Sequence, residues 1–292
     1  MERQIRFLVE NYYDIQKLRV ETFNRIVAYV KSHSTVETQA AIASHKINEP
    51  QKEYASHDEI ETHLKSASQT TYETHDVFAS KPSVLAHKIV AGKTKPPKEI
   101  SDLVWFHNTL HETEKQLKKR LDAWSKHHKI RLNYLRHIKG IGPILSSALI
   151  AWLQPISRFP NISKLWAYCG LSPTQKRQKG KRLNYNPRLK TLMWKIATSF
   201  EKQKPEKSQY RRLYDKQKAY YLNREDLKAK VKAKEKGIKG HIRNMTLRYV
   251  VKRFLADLWI TWRKLEGLPI TPPYIIGKGG HSNFEMPKTD EN

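Results

Sequence analysis

Two glycines that flank an isoleucine form the clearest candidate for chemistry in the chain. The hexapeptide IKGIGP at residues 138–143 leads into an apolar run that continues to Leu153. Glycine permits a tight turn here, so the backbone amides of Gly140, Ile141 and Gly142 can face a phosphate, and the N-terminus of the following helix adds partial positive charge. We expect this turn, a helix-hairpin-helix element, to hold the DNA backbone without reading bases. A turn that only packs two helices together is the alternative.

Cations follow this turn in large excess. Residues 171–253 contain 26 Lys or Arg and 6 Asp or Glu, so most of the net positive charge lies in this part of the chain. We expect the first part of the segment to neutralise phosphates. The predicted contacts are Lys176, Arg177, Lys179, Lys181, Arg182, Arg188 and Lys190.

The order of these motifs resembles that in a known family. The GIGP turn is followed by WAYCGLSP at residues 166–173, then by a basic loop that contains Gly180, and then by NPRLK at residues 186–190. Over residues 132–200 this arrangement is similar to the C-terminal domain of insertion-sequence-110-type transposases. The resemblance implies DNA transposition or recombination. It also implies an RNA-guided enzyme that combines a metal-dependent, RuvC-like N-terminal domain with a serine nucleophile.

The catalytic groups implied by the resemblance do not align with residues of this chain. The loop position of the family's serine is occupied by Arg177 and Gln178, and the nearest hydroxyls are those of Ser172 and Thr174. The first hundred residues predict helix and polar linker rather than the strand that carries a RuvC-like carboxylate. Enzymatic activity is therefore left open, and Mg²⁺ is expected only if another chain supplies a nuclease domain.

Histidines and aromatic residues offer further candidates. The chain has 13 histidines, but pairs such as His107 and His111 fit an ordinary helical face, so we predict no metal site. Four tyrosines lie among cations, which suits stacking on distorted or single-stranded nucleic acid, although a solvated amphipathic helix is an equal alternative. They are Tyr210, Tyr214, Tyr220 and Tyr221.

Composition limits the class of protein. The 292 residues include 55 Lys or Arg and 28 Asp or Glu, which gives a formal charge of +27 and favours polyanionic partners. No apolar stretch is long enough to cross a bilayer, and the first residues do not look like a signal peptide. We expect a cytoplasmic, nucleoid-associated protein with no membrane partner. The single cysteine, Cys169, excludes an intramolecular disulfide.

Apolar periodicity predicts an all-α fold. Residues 1–31 and 100–124 each predict a long amphipathic helix, and the two should pair as a coiled-coil-like hairpin. Helices are also expected over residues 144–153, 187–200 and 242–266. The predicted organisation is a helical hairpin over 1–131 with a polar insertion at about 33–97, a transposase-like domain over 132–270, and a tail over 271–292.

The sequence therefore favours a DNA-binding protein of insertion-sequence transposition. DNA is the predicted partner, together with a structured guide RNA, and the N-terminal helices are expected to form a homodimer or a higher oligomer. A repurposed, non-catalytic protein that binds DNA or structured RNA is the alternative, and a complete transposase with another nucleophile is the third hypothesis.

Overall fold

The computed structural model of the chain describes residues 2–33, 82–172 and 179–271. Within these ranges it contains ten α-helices and no β-strand, so the predicted all-α fold is confirmed. In chain order the helices are α1 (Glu2–His33), α2 (Pro82–Val90), α3 (Ser101–Ser125), α4 (Lys129–Asn133), α5 (Pro143–Leu153), α6 (Ile162–Tyr168), α7 (Pro187–Glu201), α8 (Gln209–Asn223), α9 (Glu225–Lys232) and α10 (Ile238–Leu265).

The chain forms two compact units, one of residues 11–117 and one that joins residues 2–10 to the described residues from 118 onward. In the first unit, α1, α2 and α3 share a buried apolar cluster that includes Ile26, Ala86 and Val104. Most of the predicted polar insertion lies outside the described residues, but its apolar patch at 84–90 falls within α2.

Polar side chains also connect α1 with α3, around Glu114. The Tyr12 hydroxyl donates to Glu114 Oε1 at 2.9 Å, and Arg19 Nε lies 2.7 Å from Glu114 Oε2. Burial raises the pKa of Glu114, but hydrogen bonds from Arg19, Tyr12 and Gln16 outweigh burial and lower it. Glu114 lies opposite the first half of α1 and Val104 opposite its second half, so the two helices run antiparallel. The predicted hairpin is present, and self-association through it stays a prediction.

The second unit is organised around α10. The apolar residues predicted to share one face of this helix are buried, except for the half-buried Leu265: they are Leu247, Val251, Phe254, Leu258 and Trp262. The Phe254 ring packs against Phe200 of α7 and Tyr210 of α8, with ring centroids 5.3 and 5.4 Å apart. This aromatic cluster fixes α7, and α7 in turn positions the candidate site. The predicted domain boundaries stay a prediction.

Candidate nucleic-acid interface

The predicted glycine turn lies between a 3₁₀ helix, Leu135–His137, and α5. Its apolar anchor is present, because Ile141 is only 5% exposed. The Ile141 amide donates to Ile138 O at 3.0 Å and is therefore used within the turn. Ile141 holds the turn in place through its side chain, and its amide is already bound.

Gly140 has a structural reason to be glycine. Its φ of +99° lies in a region that L-residues with a side chain rarely adopt. A Cβ atom at this position would lie 3.0 Å from Phe200 Cδ1 and 3.3 Å from Ser199 Oγ. The Ser199 hydroxyl donates to Gly140 O at 2.7 Å. The turn is therefore packed closely against the C-terminal end of α7.

Gly142 differs from Gly140 in every one of these respects. It is exposed, has an ordinary extended conformation (φ −87°, ψ −177°), and a Cβ atom would meet nothing within 4 Å. Gly142 occupies the N-cap position of α5, where it provides no side-chain acceptor, and Pro143 follows at the first helical position. The amides of Ile144 and Leu145 have no hydrogen-bond acceptor within the described part of the chain. This helix end can accept an anion from outside the protein.

The start of α7 has the same N-cap–proline pattern but a different chemistry. Asn186 Oδ1 accepts hydrogen bonds from the amides of Arg188 and Leu189 at 3.0 and 3.2 Å. The backbone N–H of Asn186 donates to Tyr168 O at 2.9 Å. This hydrogen bond ties the start of α7 to the end of α6. The α7 terminus is therefore satisfied internally, and its main effect is to fix the basic loop that precedes it.

The predicted basic residues cluster at this end of α7. Lys179, Lys181, Arg182, Arg188 and Lys190 are all exposed. The Arg188 guanidinium pairs with the Glu10 carboxylate, yet the Arg188 side chain keeps 63% of its surface exposed. Lys176 and Arg177 lie outside the described residues. Five of the seven predicted cations are therefore described, and all five face solvent.

A cleft opens beside these cations. Its volume is about 710 Å³, and it is lined by Trp152, Tyr168 and residues 182–188. Arg6 and Arg188 place their guanidinium carbons 5.1 and 6.0 Å from the centre of the Trp152 ring. The sequence did not indicate this cleft, because Trp152 lies within an apolar helical run, where a core position is expected. The signal in the sequence is a bulky aromatic residue in the last turn of an apolar helix, in a chain whose basic loop follows later.

Positive charge also acts on Tyr168 at the cleft wall. Burial alone would raise the pKa of its hydroxyl. Hydrogen bonds from Asn186 and Arg158, together with the charges of Arg158 and Arg6, outweigh burial and lower that pKa. The cleft therefore favours negatively charged groups.

The glycine turn and the basic loop lie at opposite ends of the α5–α7 pair. Gly140 contacts the C-terminal end of α7, whereas Trp152 lies beside Arg188 near the start of α7. At 1.5 Å per helical residue, Gly142 and Trp152 are about 15 Å apart along α5. The predicted DNA-binding residues thus form two clusters rather than one.

A sequence model of the Transposase IS116/IS110/IS902 family matches residues 132–212. The match confirms the resemblance predicted from the motifs and extends it from residue 200 into α8. It covers the glycine turn, the cleft and the basic loop together. The IS116/IS110/IS902 match supports a role related to DNA transposition and an interaction with DNA. Comparisons with curated proteins and with solved structures gave no match.

The candidate hydroxyl and tyrosine side chains differ in how the structure places them. Ser172 is half-buried, Thr174 lies outside the described residues, and a nucleophilic role for either stays a prediction. Tyr210 and Tyr214 are each 2% exposed and therefore belong to the core, whereas Tyr220 is 58% exposed.

No group of three potential metal ligands occurs in the described residues. None of the described helices is long and apolar enough to span a bilayer.

Proposed function

We propose that this chain binds DNA during insertion-sequence transposition and holds the DNA backbone at two points. The first point is the start of α5, where the amides of Ile144 and Leu145 follow the exposed N-cap Gly142. The second is the basic loop together with Arg188 and Lys190 in the first turn of α7. The observation that carries this proposal is that the amides at the start of α5 have no acceptor among the described residues, and the family match supports its setting in transposition.

The spacing of the two points suits one DNA molecule. About 15 Å along α5 is less than the roughly 34 Å rise of one duplex turn, so both points can lie within one turn of the same duplex. Backbone amides at the first point and exposed cations at the second are groups that bind phosphate oxygens. We therefore infer that affinity comes mainly from phosphates and varies little with sequence.

A salt series tests the contribution of the basic loop. The Kd of the full chain for a labelled duplex is measured from low to physiological salt, for the wild type and for the double variant Lys181→Gln, Arg182→Gln. Each lost phosphate contact lowers the slope of log K against log salt by about 0.9, so the double variant should lose nearly two units of slope. The matched control is Lys17→Gln, Lys31→Gln, which removes two charges from α1 and should leave the slope unchanged.

The same series distinguishes DNA from structured RNA. Tight, salt-dependent binding to the duplex supports the proposal. Binding to a folded RNA with no measurable affinity for duplex DNA would instead favour the repurposed RNA-binding protein. Equal loss of slope in the loop variant and the α1 control would contradict a localised contact at the loop.

A further inference from the structure

The cleft beside the basic loop has features that phosphate binding alone does not require. A phosphate contact needs cations and amides, but this cleft is lined by the side chains of Trp152, Tyr168 and Tyr185. Flat aromatic side chains next to cations are the usual means of holding an unstacked nucleic-acid base. We propose that the cleft binds one DNA base that has left the helical stack, with its flanking phosphates on Arg182 and Arg188. This inference rests on the proposed DNA-binding function.

Trp152 is the stacking platform in this proposal. It is half-buried, whereas its neighbours Ala151 and Leu153 are fully buried, so the end of α5 is fixed while part of the indole remains accessible. Arg6 donates from Nε to Ala151 O at 2.6 Å, which holds its guanidinium close to the indole. The ring is therefore held in place before a ligand arrives, which lowers the entropic cost of stacking.

Tyr185 is held just as firmly on the loop side of the cleft. Lys190 Nζ lies 4.7 Å from the centre of its ring. Gly170, with φ +70°, also approaches the ring so closely that a Cβ atom there would lie 2.8 Å from Tyr185 Cδ2. Only glycine leaves room for the ring in this position. The loop side of the cleft is thus shaped by packing and does not depend on a bound ligand.

The charged rim fits a nucleotide better than an uncharged aromatic ligand. Arg182 is exposed, and Arg188 pairs with the Glu10 carboxylate in an ion pair that is open to solvent on the arginine side, where 63% of the side chain is exposed against 26% for Glu10. Such pairs stabilise a protein by at most about 1 kcal/mol, so a phosphate can replace Glu10 at little cost. The volume of about 710 Å³ lies within the range of small-ligand sites.

A base inside a paired duplex cannot reach this cleft. Its faces are covered by the neighbouring base pairs, and only its edges are accessible in the grooves. An extrahelical or single-stranded base exposes a full face for stacking. The cleft should therefore favour DNA that is locally unpaired, as at a bulge or an open end, over an uninterrupted duplex.

The test compares two DNA duplexes that differ by one extrahelical 2-aminopurine, whose fluorescence falls when it stacks on an aromatic ring. The full-length wild type should bind the bulged duplex about tenfold more tightly than the paired one, in line with one stacking contact, and should quench the fluorescence. Trp152→Ala should abolish the quenching and the preference, so that this variant binds the bulged and the paired duplex with equal affinity. Trp152→Phe, which keeps an aromatic ring, should retain most of both effects.

Trp194→Ala is the matched control, because Trp194 is 45% exposed on α7 and does not line the cleft. This variant should keep the preference for the bulge. Equal wild-type affinities for the two duplexes would overturn the base-binding cleft but not the proposed DNA binding. Absence of binding to either duplex would overturn both. A preference seen only with an RNA bulge would overturn the assignment to DNA.

Discussion

The starts of α5 and α7 share a local sequence pattern but differ in whether a side chain caps the helix. Each helix has proline at its first position, preceded by Gly142 in α5 and by Asn186 in α7. Asn186 binds the amides of Arg188 and Leu189, whereas the corresponding amides of α5 have no acceptor in the described residues. A side-chain acceptor stabilises a helix start but removes it as an anion site. The start of α7 is therefore a structural support, and the proposed function assigns anion binding to the start of α5.

The largest expected change in stability distinguishes the two glycines of the turn before α5. Gly140→Ala should lower the free energy of unfolding by about 2 kcal/mol, because the residue has a positive φ and its Cβ would press on Phe200. Gly142→Ala, in open space with an ordinary φ, should change it by less than about 0.5 kcal/mol. Urea unfolding of the two variants and the wild type measures both free-energy changes. Similar losses in both would contradict the division of roles within the turn.

A smaller effect is expected when the α7 start is made to resemble that of α5. Asn186→Ala removes the acceptor for two amides and should cost about 1 kcal/mol of stability. Asn186→Asp keeps an oxygen in the same place and serves as the control in the same thermal unfolding experiment. If the Ala variant matches the wild type in stability, the cap does not support α7 as described.

The smallest expected change in stability comes from giving the start of α5 the N-cap residue of α7. Gly142→Asn should stabilise α5 by a few tenths of a kcal/mol, because asparagine caps a helix slightly better than glycine and its side chain has room here. The same change should weaken binding to duplex DNA, because the new side chain occupies the amides. A gain in stability together with a loss of binding is the signature of a helix end kept open for a ligand. Improved stability with unchanged binding would count against an anion site.

The sequence predicted the features that depend on local pattern. The periodicity of α10 and the proline and glycine positions around α5 and α7 placed these helices within a few residues. The turn itself was also predicted, but the burial of Ile141 and the use of its amide within the turn are seen only in the structure. The family match over residues 132–212 rests on the same local patterns.

The sequence could not predict contacts that only tertiary packing creates. Trp152 meets Arg188 because α5 and α7 pack together, and Arg188 meets Glu10 although 178 positions separate them. Tyr210 lies among cations along the chain, yet its hydroxyl donates to Asp257 at 2.8 Å in the interior. Charge density along a sequence therefore did not distinguish the buried Tyr210 and Tyr214 from the exposed Tyr220.

The most direct test of the account is the affinity of Gly142→Asp and Gly142→Asn for one duplex at one salt concentration. Both side chains cap the helix and fit the open space, so the two folds should be equally stable, and only aspartate brings a negative charge to the phosphate position. The account predicts that the aspartate variant binds at least about tenfold more weakly than wild type, corresponding to the loss of a charge-assisted hydrogen bond, with the asparagine variant in between. Wild-type affinity in the aspartate variant would show that DNA does not contact the start of α5.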